Sequence, residues 1–134
     1  MRRFLAFFVA VSLLGSAAVR AAGEPVVIGL AVPLSPPGDV TAGQLIRRGA
    51  ELGVEYVNTQ MKGVLGRDVT LAVEDDMGQP EAGVAAYRRL VNDKHAVAVT
   101  GSFHSSVQLA INEVAKDVGV PTIATQASAA DITA

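Results

Sequence analysis

The chain has 134 residues, of which 11 are Lys or Arg and 13 are Asp or Glu, a formal charge of −2, and it holds neither Cys nor Trp. Absence of cysteine excludes a thiol nucleophile, a disulfide framework and any thiolate metal site. Beyond Arg2-Arg3 at the N-terminus, basic residues pair only as Arg47-Arg48 and Arg88-Arg89, two isolated pairs on helix faces, so there is no electrostatic footprint for nucleic acid or anionic lipid.

At the N-terminus Met1, Arg2 and Arg3 precede an apolar run from Phe4 to Leu14, followed by small residues up to Ala22. That order is an export signal, with Val19-Arg20-Ala21 offering the cleavage site, so residues 1–21 are expected to leave. A membrane span needs about 20 apolar residues, and Gly15, Ser16 and Arg20 cut this run short. Losing Arg2, Arg3 and Arg20 leaves 8 basic against 13 acidic residues, a formal charge of −5 on a product that works outside the cytoplasm. What remains, residues 22–134, has the length of one domain and the Ala, Val and Gly content of helices packed on a parallel sheet.

Val26 to Val32 is a continuous apolar run, expected of a central parallel strand covered on both faces. Pro33 to Val40 carries three prolines and a glycine and is a loop. Thr41 is placed as the cap of a helix to about Val57, with Ile46, Ala50, Gly53, Val54 and Val57 on one face. Val69 to Val73 is a second strand ending in Glu74-Asp75-Asp76, and Pro80 opens a second helix to Asn92. Ala96 to Thr100 is a third strand, Ser105 to Val118 a third helix with Val107, Ala110, Ile111, Val114 and Val118 in helical register, and Pro121 to Thr125 a fourth strand. The order β-α-β-α-β-α-β predicts an α/β fold with a doubly wound parallel sheet. Ligands in such folds bind beyond the carboxyl ends of the strands, which singles out Pro33 to Val40, Glu74 to Gln79, Gly101 to Ser106 and Gln126 to Asp131.

Gly101-Ser102-Phe103-His104-Ser105-Ser106 leads from a strand into a helix, where backbone N–H groups, the helix dipole and hydroxyls converge. Two readings stand: Ser105 or Ser106 caps the helix, or both belong to an anion seat made of the same atoms. His104 beside two serines suggests a hydrolase, yet neighbours in sequence rarely reach triad geometry and no Gly-x-Ser-x-Gly is present. His95 and His104 are too few for a metal site, and no glycine-rich nucleotide motif follows the first strand, so neither metal nor cofactor is expected. For Glu74-Asp75-Asp76, service to the turn and the next helix entrance is preferred over Mg²⁺ binding. Gln126-Ala127-Ser128-Ala129-Ala130-Asp131 offers small residues beside the main chain, and with Ser105 it suits a small carboxylate.

Taken in order, VVIGLAVPLSPPGD, RRGAELGVEYVN, GVLGRDVTLAVEDDMGQPEAGVAAYRRLVND and GSFHSSVQLAINEVAKDVGVPTIATQASAADIT resemble the amino-terminal lobe of a periplasmic solute-binding protein of the branched-chain amino acid (Leu/Ile/Val) type, part of an ABC importer. The resemblance implies a partial N-terminal lobe of the type I periplasmic binding protein fold, a non-catalytic role, an aliphatic amino acid or amide as ligand, and a membrane permease as partner. It implies that Ser105, with Ser106 beside it, binds the ligand's carboxylate. Ser128 matches a hydroxyl position for the same carboxylate, and Gln126 a backbone carbonyl for the ammonium. In the first loop Val40-Thr41-Ala42 stands where relatives often place a bulky residue, and Gly78 and His104 occupy positions that some relatives join by a disulfide. Such proteins have two lobes, so the resemblance also implies a fragment of a longer protein. A ligand-sensing domain of a receptor or regulator shares the fold and is the alternative binding reading.

Overall fold

The computed structural model describes residues 23–133, so the expected export signal at 1–21 lies outside the described residues. Strands β1 (Val26–Val32), β2 (Val69–Asp75), β3 (Ala98–Gly101) and β4 (Thr122–Ala124) alternate with helices α1 (Val40–Gln60), α2 (Pro80–Asn92) and α3 (Ser105–Val118). The strands form one parallel sheet in the order β2-β1-β3-β4, with Val26 opposite Val69 and Ile28 opposite Ala98. From β1 the chain steps to one side, then doubles back over β1 to reach β3 and β4. Right-handed crossovers then require α1 on one face and both α2 and α3 on the other.

The packing has that arrangement. Alternate residues of β1 point to opposite faces. Val27 and Ala31 join Ala86, Tyr87 and Leu90 of α2 and Val107 and Ile111 of α3 in the main core. Val26 and Ile28 face Ala50, Gly53, Val54 and Val57 of α1, the stripe expected from the sequence. Burying the first group removes several large side chains from water at about 25 cal/mol per Å² of apolar surface, which makes the α2–α3 side the stable half of the sheet.

Several element boundaries differ from expectation: β2 runs on to Asp75 and β3 to Gly101, and the others shift as follows. The helix cap is Asp39, not Thr41: the Asp39 carboxylate accepts the Ala42 N–H at 2.9 Å, so α1 starts at Val40. It runs on to Gln60 because its first interruption is the left-handed pair Lys62 and Gly63 (φ 60° and 77°). Strand β3 starts at Ala98 because the Ala96 N–H turns back to the Leu90 carbonyl at 2.9 Å, closing the α2–β3 turn. Strand β4 is one residue shorter at each end than Pro121 to Thr125. The segment after β4, read from sequence as loop only, contains a 3-10 turn at Ala130–Ile132.

Candidate functional site

Because β2 and β3 lie on opposite sides of β1, the sheet has its switch point between the carboxyl ends of β1 and β3. The loops after β1 and β3 leave there in opposite directions, and such a point is the general ligand position in doubly wound sheets. The loop after β1 is held open by Asp75. Its carboxylate accepts the Leu34 N–H at 2.8 Å, the Ser35 hydroxyl at 2.5 Å and the Met77 N–H at 2.8 Å. Burial would raise the pKa of this group, but the donors from Ser35, Leu34 and Met77 outweigh it and hold the carboxyl below its ordinary 3.8. Asp76 accepts the Gly78 N–H at 2.8 Å. The acidic run therefore serves the turn and the entrance to α2, and no group of three or more acidic or histidine side chains with metal-site geometry occurs among the described residues.

On the other side of that point β3 ends at Gly101, whose φ of 116° and close approach to the Ala31 carbonyl (a Cβ would stand 2.2 Å from that oxygen) restrict the position to glycine. Ser102 follows with φ 60° and is 1% exposed; its N–H donates to the Ala31 carbonyl at 2.7 Å and its hydroxyl to the His104 carbonyl at 3.2 Å. This tight corner delivers α3 with its N-terminus at the sheet edge. The His104 carbonyl takes the Val107 and Gln108 N–H groups, both at 3.1 Å, leaving those of Ser105 and Ser106 without an acceptor among the described residues. They are the free donors of a helix start.

Ser105 settles what the loop after β4 does. Its hydroxyl oxygen accepts the N–H groups of Ser128 and Ala129, both at 3.2 Å. A serine oxygen has two lone pairs and one proton. With both lone pairs engaged, the Ser105 hydroxyl is left only its proton to offer, and it stands beside the positive end of the α3 dipole. Two of the expected residues, Ser105 and Ser128, are thus brought into direct contact. Ser106 is exposed on the same turn with no side-chain bond. Gln126 lines a cavity of about 450 Å³ between α1 and the sheet, with Leu30, Leu45, Ile46, Thr100 and Thr125. Neither serine hydroxyl bonds to His104, whose Nδ1 is enclosed without a partner among the described residues, so the nucleophile-and-base geometry is not assembled there.

Sequence reasoning missed what pins the loop from behind. Gln108, 3% exposed, donates to Asn112 at 2.6 Å; Thr122 donates to the same Asn112 oxygen at 2.9 Å, and the Asn112 amide donates to the Ile132 carbonyl at 3.2 Å. The available signal was Gln108 and Asn112 at i, i+4 spacing within an apolar helix face. Gly78 and His104, the two positions paired by the resemblance, do lie against each other: a Cβ on Gly78 would stand 2.8 Å from Cε1 of the imidazole.

The profile of the family described as periplasmic binding protein matches residues 25–134. The chain belongs to the periplasmic binding protein family. It is 35% identical over 109 residues to the Leu/Ile/Val-binding protein BraC3 of Rhizobium johnstonii, a match that takes in 81% of this chain and 29% of that protein. Among solved structures it superposes with a TM-score of 0.75 and 24% identity on the branched-chain amino acid transporter substrate-binding protein LivJ of Streptococcus pneumoniae, determined in complex with isoleucine, over 81% of this chain and 31% of LivJ. A solute-binding protein of an ABC transporter from R. palustris, determined in complex with benzoate, gives a TM-score of 0.70 at 31% identity, over 81% of this chain and 29% of that one. The type I periplasmic binding protein fold is therefore present, over a span that is less than a third of these relatives' length.

Proposed function

We propose that the chain is the N-terminal lobe of an exported carrier that captures a small carboxylate ligand, an aliphatic or branched-chain amino acid or an amide, and delivers it to the membrane permease of an ABC importer. The observation that carries this reading is the Ser105 hydroxyl, turned into an obligate donor by Ser128 and Ala129 at the start of α3. Isoleucine and benzoate, bound by two similar proteins, differ in everything but the carboxylate. A seat built from one hydroxyl and the unengaged N–H groups of Ser105 and Ser106 recognises that shared group and leaves the remainder of the ligand to other walls. The Gln126 carbonyl is assigned to an ammonium group and the Ser128 hydroxyl to the carboxylate.

Export to the periplasm follows from residues 1–21 and from the family. No residue is assigned a catalytic role, and no cofactor or metal is required. The test is calorimetric titration of the protein expressed from its own gene with L-leucine, L-isoleucine, L-valine and benzoate. Ser105→Ala is expected to weaken the bound ligand by about 1 to 3 kcal/mol, the worth of a hydrogen bond to a charged group. Unchanged affinity would remove Ser105 from the site, and binding of none of the four would remove this ligand class.

A further inference from the structure

Asn112 stands at i, i+7 from Ser105 on α3, two turns along the same face and about 10 Å away. A count of donors and acceptors fixes which way its amide points. The Gln108 nitrogen donates to the Asn112 oxygen at 2.6 Å and to the Thr122 hydroxyl at 3.3 Å, and the Thr122 hydroxyl donates to that same Asn112 oxygen at 2.9 Å. Both lone pairs of the oxygen are then engaged, so the amide nitrogen faces the other way and donates to the Ile132 carbonyl at 3.2 Å. From Ile132 two further bonds lead back to the candidate site. The Ile132 N–H donates to the Ala129 carbonyl at 3.1 Å, and the Ala129 N–H donates to the Ser105 hydroxyl oxygen at 3.2 Å. Asn112, Ile132, Ala129 and Ser105 thus form a hydrogen-bonded ring closed by α3 itself.

We propose that Asn112 is a positioning residue for the carboxylate seat: its hold on Ile132 keeps the Ala129 N–H on the Ser105 oxygen, which leaves the Ser105 proton to face a ligand. The role rests on the carrier reading, in which that proton goes to the ligand's carboxylate. The near end of the loop is fixed independently, because Thr125 places both its N–H and its hydroxyl on the Gly101 carbonyl at 3.0 Å. Among the described residues, the Asn112 amide is the one side-chain hydrogen bond that ties the turn at Ala130–Ile132 to α3. Should that tie go, Ala129 is free to move off, the Ser105 oxygen regains a lone pair, and its hydroxyl turns among several rotamers. The donor is then aimed at the ligand only part of the time, and binding has to restore its order.

The experiment compares two variants of the protein expressed from its own gene. Asn112→Asp keeps an acceptor for Gln108 and Thr122 but sets a carboxylate oxygen against the Ile132 carbonyl, where a donor stood. Thr122→Val removes bonds of the same cluster and leaves Asn112 on Ile132. Amide ¹H–¹⁵N spectra read the Ser128 and Ala129 N–H groups directly, with Ser105→Ala marking the shifts at which their bonds to the hydroxyl are lost. Asn112→Asp is expected to move both signals toward the Ser105→Ala positions and to weaken whichever of leucine, isoleucine, valine and benzoate binds by roughly fivefold. Thr122→Val should lower stability and move neither. Signals unmoved in Asn112→Asp, equal movement in Thr122→Val, or movement without loss of affinity would overturn the positioning role. Should Asn112→Asp not fold, Asn112→Ala removes the donor without adding a charge and is read the same way. If none of the four ligands binds the wild type, the carrier reading fails, while the amide shifts still decide whether Asn112 holds Ala129 on Ser105.

Discussion

Asp75 and Asp76 are neighbours that the fold drives in opposite directions, and the difference is countable in donors. Asp75 is partly buried but accepts from Leu34, Ser35 and Met77, so its charged form is favoured and its pKa lies below 3.8. Asp76 is deeper and has one backbone donor, so it lies above. The two contribute to stability with opposite pH dependence. For Asp75 the contribution is present above 3.8 and is lost as pH falls through the lowered folded value. For Asp76 it is present below 3.8 and is lost as pH rises through the raised one. Asp75→Asn keeps an acceptor for the backbone donors but gives up the charge, and it should cost about 1 kcal/mol at neutral pH. Urea melts should show that difference shrinking as pH drops below 3.8. Two curves that stay parallel into acid would mean the loop after β1 does not depend on the Asp75 charge.

At the scale of elements, α2 is tied to the α3–β4 turn through the hydroxyl of a buried tyrosine. Tyr87 is fully buried and its hydroxyl donates to the Val120 carbonyl at 2.7 Å, joining α2 to the α3–β4 turn. Tyr87→Phe leaves that carbonyl unpaired against an apolar ring, and denaturant melts should show a loss of about 1 to 2 kcal/mol. A loss within error would place water on the Val120 carbonyl. The helices were legible because their stripes are what the packing uses: Val107 and Ile111 are buried, and Ala50, Val54 and Val57 face the sheet. Strand ends were not, because they depend on where single N–H groups go, such as the return of Ala96 to Leu90. The site divides in the same way. Topology alone brings the loops of Ser105 and Ser128 to one edge, so both residues could be named from sequence. The close approach of Gly78 to the His104 ring joins residues on separate β-α turns and leaves no periodic trace, and the backbone N–H groups of Ser128 and Ala129 have no sequence signature at all.

Over the described residues as a whole, the two faces of the sheet are unequally covered. Parallel sheets are ordinarily buried on both faces. Here α2 and α3 close one, whereas α1 lies over β1 and β2 and leaves β3 and β4 open on its side. Val97 is 55% exposed and Ile123 63%, facing the same side as the exposed Leu45 of α1. Among the described residues strand β4 is also an edge, paired with β3 alone. An apolar face beside an open strand edge favours self-association. The chain from Gly23 onward, purified as such, should therefore bind the dye ANS and sediment as associated species. Val97→Lys combined with Ile123→Lys should lower both signals, since each adds a charge to that face without touching the α2–α3 core. Val118→Lys, a half-exposed position on the opposite layer, is the control and should change neither. If the control has the same effect as the pair, association runs through charge in general and not through this face; if neither variant alters it, the open edge of β4 is the contact that remains.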